Sequence, residues 1–467
     1  MSDNTFTRRG FLASSGLALG ATLINQRAFA KSPDRSGNSK DFTSYSRYSP
    51  SYGGPPDSDH YLGKLTPGLR KSGLTPVPFV APDLEKLSWK MVGGVKEFHI
   101  RCTASKREFL PGYEMNVWGY NGSMPGPTIE AVQGDRVRFV VHNELPEPTT
   151  IHWHGLELPV NMDGVPGMTQ KPIPPGKTFV YEYELHQTGT FFYHAHFAMQ
   201  ESMGMVGFFI IHPRIAHDPP VDRDFGLLYQ NFFIRPNADS VDTMMMDWNW
   251  HTINGRSGPY TTPMVVKHGE RVRLRLLNFS PMQHHPIHLH GHTFWLTGTE
   301  GGRIPKTAWI PRNNTIVGVA TAQEFEFIAF NPGDWIFHCH MFHHMMNHMV
   351  KQVGPRIRPG SNLGDYYASL PDRPEAVDVV TQPSFQVPGY PQNMQGMMMG
   401  QSMSEETMSR INNRREARGM LPDWSQPVKG LTTVIRVLPE DLYNRVMLSD
   451  ESIKPGEIFN AIVRRKT

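Results

Sequence analysis

The residues with the most chemistry stand in one run, His338-Cys339-His340-Met341-Phe342-His343-His344-Met345-Met346-Asn347-His348-Met349. An alternating segment, Phe325 to Phe330, and an Asn331-Pro332-Gly333-Asp334 turn precede it, so Trp335 to His340 reads as a strand. Successive strand side chains point to opposite faces. His338 and His340 therefore share one face and Cys339 takes the other. His344 can return to the cysteine side, and Met349 stands ten residues beyond Cys339. A thiolate, an imidazole and a thioether are three ligands of a blue, electron-transferring copper centre, which needs one imidazole more. The two histidines on the opposite face would serve a different metal. Cys339 would be joined to both sites through its own backbone, which is wiring for electron transfer.

The elements that must position these groups occur twice. Gly134-Asp135-Arg136-Val137-Arg138-Phe139-Val140-Val141-His142-Asn143 reappears as Gly269-Glu270-Arg271-Val272-Arg273-Leu274-Arg275-Leu276-Leu277-Asn278, 135 residues on. Each copy leads to a histidine pair, His152/His154 in the first and His288/His290 in the second. Further on, His194-Ala195-His196 matches His338-Cys339-His340. A repeat this long is too large for a solenoid unit and predicts two all-β domains, each a sandwich of short strands with Gly/Pro turns. Only the second copy has a histidine three residues before its first pair, His285; the first has Thr149. Cys339, His344 and Met349 correspond to Ala195, Gln200 and Met205. The expectation is one blue site per chain, held by His285, Cys339, His344 and axial Met349.

Four motifs in this order resemble those of the multicopper oxidases, the laccase family: His-Trp-His-Gly, His-Ala-His, His-Pro-Ile-His-Leu-His-Gly, and the His-Cys-His run with its following His and Met. The resemblance covers roughly residues 90 to 350. Most relatives have three domains; too few residues separate His152 from His285 to hold a middle one. The chain therefore looks like the two-domain, small-laccase branch with the blue copper in domain 2. The resemblance implies cupredoxin-like Greek-key sandwiches and four coppers per chain. It assigns His152 and His288 to a lone type 2 copper. It assigns His154, His194 and His340 to one type 3 copper, and His196, His290 and His338 to the other. It makes His344 the blue-site ligand nearest solvent and Asp163 the acid beside the cluster; read without it, Asp163-Gly164 is a turn. Some relatives carry a second acid directly after the blue-site histidine, where this chain has Met345.

The expected organisation is a signal segment at 1–30, an extended Pro/Gly/Ser-rich arm at 31–86, domain 1 at 87–215, domain 2 at 216–360 and a C-terminal extension at 361–467. Arg8-Arg9 with a weakly apolar run and Ala28-Phe29-Ala30 form a twin-arginine export pattern, hence a periplasmic protein. A net charge of +3 gives no argument for nucleic acid, and no apolar run reaches the ~20 residues of a membrane helix. If Cys339 binds metal, Cys102, the one other cysteine, has no disulfide partner in the chain and reads as a buried strand residue. Within the extension, Asn393 to Met403 is rich in methionine, and Met244-Met245-Met246 adds more; thioethers select Cu(I). Val434 to Pro439 reads as a strand and Leu442 to Met447 as a short helix.

The leading function is an oxidase taking single electrons from phenols, aromatic amines or metal ions such as Cu(I), with O₂ reduced to water. A copper nitrite reductase is one alternative, though it does not need eight paired histidines. A non-enzymatic periplasmic copper-binding or storage protein is another, though it does not need the Cys339 wiring. Two consecutive repeats also predict a homotrimer, with clusters built from His152, His154, His194 and His196 of one chain and His288, His290, His338 and His340 of the next.

Overall fold

A computed structural model describes residues 77–345, except 236, 237 and 247, and residues 405–458, except 422, 423, 426 and 427. The export pattern, most of the arm, Met349 and the Asn393–Met403 segment lie outside the described residues.

Alternating apolar positions fold the two repeats as two β-sandwiches of the cupredoxin type. In the first, a five-stranded sheet carrying Val95–Leu110, Arg136–Asn143 and Thr178–Glu184 faces a four-stranded sheet. The four strands run in the order Ile129–Val132, Val206–His212, Gly189–Ala195, Ile151–His154. Their inward residues, among them Phe139, Trp153, Tyr193 and Phe209, form one core. Cys102 is fully buried in it, and burial raises its thiol far above the ordinary range.

The second sandwich repeats the plan. An eight-stranded sheet built on Arg223–Phe232, Arg271–Asn278 and Thr321–Ile328 faces a five-stranded one. The five run in the order Met264–Lys267, Thr432–Leu438, Gly333–Cys339, His285–Leu289, Asn314–Val317. The expected strand near Val434 is therefore Thr432–Leu438, and the expected helix is Glu440–Leu448. The strand is not an appendage, however. It lies inside the second sandwich, although the sequence placed it beyond the repeat. The last residues of the expected arm also join this domain: Phe79 and Val80 pair in parallel with Asp224 and Phe225.

The second sheet of the first sandwich packs on the first sheet of the second. Phe192, Val206, Phe208 and Ile210 from one meet Leu228, Leu277 and Ala322 from the other. Beside this apolar seam, the buried guanidinium of Arg275 pairs with Asp224 and Glu324 and donates to Thr190 Oγ1 of the first sandwich at 2.7 Å. A buried charge needs such partners, because desolvation alone costs several kcal/mol, on the order of the whole stability of a domain.

Candidate metal centres

Strand pairing sets the first centre. Ile287 pairs with Cys339, and Ile287, Leu289, Phe337 and Cys339 all face the core. His285 lies two residues before Ile287 on the same strand and joins Cys339 beneath the core. The chain then turns through Phe342–Met345, where the His344 N–H donates to Met341 O at 2.9 Å, and His344 swings back beside the thiol. Cys339 Sγ lies 3.7 Å from Nδ1 of His285 and 3.6 Å from Nδ1 of His344. All three residues are buried. Ser280 Oγ stands 2.7 Å from His285 Nε2; accepting that N–H leaves the Nδ1 lone pair facing the sulfur.

These residues fit copper. Burial pushes His344 down to about 4 and His285 well below its ordinary value, so both imidazoles are neutral donors. Burial also pushes the Cys339 thiol up to about 12. A cation among the three would reverse that last shift, since a coordinating thiol is deprotonated outright. A thiolate and two imidazoles are the donor set of a blue copper.

The first sandwich shows the same place without the chemistry. Thr149 Oγ1 and Gln200 Oε1 are joined at 2.6 Å, and Gln200 Nε2 donates to Glu147 Oε1 and Pro148 O, both at 2.8 Å. Ala195 replaces the cysteine. Met205 packs there, its N–H toward Gln200 O and its carbonyl accepting from the Ala195 N–H. In the second sandwich those two backbone bonds are made by Leu431, to His344 O at 2.8 Å and from the Cys339 N–H at 2.9 Å.

The eight remaining histidines form two sets on the outer faces of the second sheets. His152 and His154 alternate with Ile151 and Trp153, and His194 and His196 flank Ala195; the core residues point inward and the imidazoles outward. The rings of His152, His154, His194 and His196 lie within 6.0 Å of one another along the chain of contacts that joins them. The ligand atoms of His152, His154 and His194 lie within 4.8 Å of one another. The set of His288, His290, His338 and His340 is arranged likewise, with His290 Nε2 at 3.2 Å from His338 Nε2. Among the described residues, no hydrogen bond or ring contact joins a histidine of one set to one of the other. His194 instead packs on Phe279 of the second sandwich, ring centroids 4.9 Å apart.

Backbone carbonyls fix these rings in matching ways. His194 Nδ1 lies 2.8 Å from Ala195 O, and His338 Nδ1 lies 2.7 Å from Cys339 O. His152 Nδ1 lies 2.8 Å from Asp163 O, and His288 Nδ1 lies 2.6 Å from Asn313 O. With each Nδ1–H so held, each Nε2 is turned away from the carbonyl and is the nitrogen that would meet a metal. Asp163 also brings a carboxylate oxygen to 3.5 Å from His152 Nδ1. Gly164 permits this: it has φ +85°, and a Cβ there would overlap the Ile151 carbonyl. Burial, with like charge from the neighbouring imidazoles, takes His154 down to about 3. It takes His338 to about 4 despite the hydrogen bond to Cys339.

Two residues beside the Cys339 centre lie outside the four motifs. His251 lies over His344, ring centroids 4.2 Å apart, and its Nδ1 is 3.0 Å from Asn231 Oδ1. His344, expected to be the ligand nearest solvent, is 5% exposed beneath it, against 0% for His285 and Cys339. Nothing in the sequence around His251 marks it. Leu431 does have a signal: Gly430-Leu431 precedes its strand as Gly204-Met205 precedes Val206–His212, and both strands end before a proline.

Two sandwiches, with a Cys–His₂ centre in the second and paired histidines on both, are the arrangement of a copper protein. Families described as multicopper oxidase match residues 101–215 and 234–356, together just over half the chain. The chain belongs to the multicopper oxidase family, of the two-domain type, and that family binds copper. It is 49% identical over 249 residues to dihydrogeodin oxidase of Aspergillus terreus, covering 47% of this chain and 39% of that protein. It is 28% identical over 241 residues to copper resistance protein A of Escherichia coli, covering 41% and 40%. The crystal structure of the blue copper oxidase from Nitrosomonas europaea is similar at 30% identity and a TM-score of 0.49, over 53% of this chain and 80% of that one. The chain thus spans about two fifths of the length of these curated relatives.

Proposed function

We propose that the chain is a laccase-like oxidase holding four coppers: a blue one at His285, Cys339 and His344, and three held by the eight paired histidines. Bound copper would supply one-electron oxidation of the donor and four-electron reduction of O₂ to water. The observation that carries this reading is the Cys339 carbonyl, which accepts the Nδ1–H of His338 at 2.7 Å. One residue thereby touches both sites, with Sγ in the first and a hydrogen bond into the second. Asp163, with a carboxylate oxygen 3.5 Å from His152 Nδ1, would pass protons to the cluster. Stopped-flow and oxygen-electrode measurements test the function: four donor equivalents should be consumed per O₂ with no peroxide released. Stoichiometric peroxide, or nitrite reduction in its place, would refute it.

The separation of the two histidine sets within one chain supports a homotrimer in which each cluster draws one set from each of two neighbours. Sedimentation gives the stoichiometry. Mixing a His152/His154 variant with a His338/His340 variant should restore part of the activity; an active, copper-loaded monomer contradicts the trimer. Export through the twin-arginine route to the periplasm fits the pattern at Arg8-Arg9.

One observation favours Cu(I) over phenols as donor. A cavity of about 450 Å³ is lined by Met199, Met244, Met245, Met246 and Met282. Its wall also carries Ser280, which meets His285, and Asn231, which meets His251 over His344. Soft thioethers in a cavity whose wall reaches His285 through Ser280 suit a soft cation. Replacing Met244, Met246 and Met282 by Leu should raise the KM for Cu(I) and leave that for a phenol unchanged. An unchanged Cu(I) KM removes the cavity from the reading.

A further inference from the structure

We propose that Leu431, not a methionine, fills the axial position of the blue centre, leaving three protein ligands and no thioether. The proposal rests on the copper reading above. It is carried by a register that the two sandwiches share at every point around this position. Phe209 pairs with Ile129 in the first, and Ile435 pairs with Met264 in the second. Ile129 and Met264 stand 135 residues apart, the offset of the repeat itself. On the other flank, Val206 pairs with His194 and Thr432 with His338. Val206 N and Thr432 N each donate to the carbonyl two residues back, Gly204 O and Gly430 O, both at 2.9 Å. Met205 and Leu431 then make the same two backbone bonds, to the residue at the cysteine position and to the one at the second histidine position.

The residue before this position must take a left-handed backbone. Gly204 has φ +113° and Gly430 has φ +56°. At Gly430 a Cβ would also overlap the carbonyl oxygen of His344, so only glycine lets this segment lie so close to the site. Met349 has the right distance in sequence from Cys339, but His348 precedes it. Leu431 is 0% exposed and belongs to the same apolar cluster as Cys339. The axial residue thus arrives from the far end of an 86-residue excursion between Met345 and Thr432.

A leucine there donates no electron pair. Cu(II) loses more by that than Cu(I) does, because the oxidised ion binds extra donors more strongly. The reduction potential of the centre is therefore raised relative to a methionine-ligated one. Leucine to methionine is a nearly volume-conserving change that leaves the fold intact.

The test uses the full copper-loaded chain and reads the potential by redox titration of the blue band against a mediator. Leu431→Met should lower the potential by at least a tenfold shift in the mediator equilibrium, about 59 mV for a one-electron couple, and should alter the copper EPR spectrum. Met349→Leu should change neither. A shift on Met349→Leu, or none on Leu431→Met, overturns the assignment. If the unsubstituted chain has no blue band, the copper reading itself fails, a result distinct from both.

Discussion

The two sandwiches keep one backbone and differ in how they satisfy one buried spot. In the first, Thr149 and Gln200 bond to each other, Gln200 is anchored further on Glu147 and Pro148, and Ala195 leaves no sulfur. Both of those polar side chains have protein partners. In the second, two Nδ1 atoms face one Sγ at 3.6 and 3.7 Å, with burial opposing charge on all three. That arrangement of neutral donors around one sulfur suits a soft cation. The difference teaches that the fold supplies the position and a few side chains decide whether it needs a metal. The outer faces, by contrast, keep the same arrangement in both copies: His194 bonds Ala195 O as His338 bonds Cys339 O.

The comparison can be broken most completely at the sulfur. Cys339→Ser makes the second sandwich resemble the first, so absorption spectra should lose the intense blue band and donor oxidation should stop. Metal analysis should still find the copper of the paired histidines. Next in size is Asp163→Asn. Reoxidation of the fully reduced enzyme by O₂, followed by stopped flow, should slow by roughly 10²–10⁴-fold, the usual contribution of a positioned proton donor. Reduction of the blue centre should keep its rate.

Smaller effects concern what holds the two copies together and what fills the first. Burial alone would raise the Glu324 carboxyl, but Arg275 and Arg273 hold it down to about 2. Its contribution to stability is therefore present above its ordinary value of 4.5 and is lost as pH falls toward 2. In Arg275→Met the balance turns toward burial, and the penalty should grow as pH rises through 4.5. Denaturant titrations at neutral pH should show a loss of about 3–5 kcal/mol, since one partner of a buried ion pair is gone. Gln200→Ala leaves Thr149 and Glu147 without their bonds and should cost about 1–3 kcal/mol. In the copper-free protein, His344→Gln should cost less than that, because the imidazole it removes has no partner as strong.

Much of this was legible in the sequence because the information is local. The repeated Gly134–Asn143 segment, the alternation of His338, Cys339 and His340, and the Thr149, Ala195 and Gln200 substitutions each lie within a few residues. Asp163 was legible only through the family resemblance; by itself Asp163-Gly164 reads as a turn. The last strand of the second sandwich was not, because strand pairing brings Thr432–Leu438 beside Gly333–Cys339 without regard to the long segment between them. Counting from Cys339 leads to Met349, which lies outside the described residues, and gives no hint of Leu431. His251 was illegible for a different reason: a ring stacked on His344 leaves no pattern in its own segment.

The most direct measurement is a crystallographic anomalous map of the assembled, copper-loaded protein at the copper edge. The expected result is one copper among His285, Cys339 and His344, with Leu431 above it and no copper among Thr149, Ala195 and Gln200. Three more coppers should lie where the histidines of one chain face those of its neighbour. Copper at Thr149 and Gln200, an empty Cys339 site, or all three cluster coppers held by a single chain would contradict this picture.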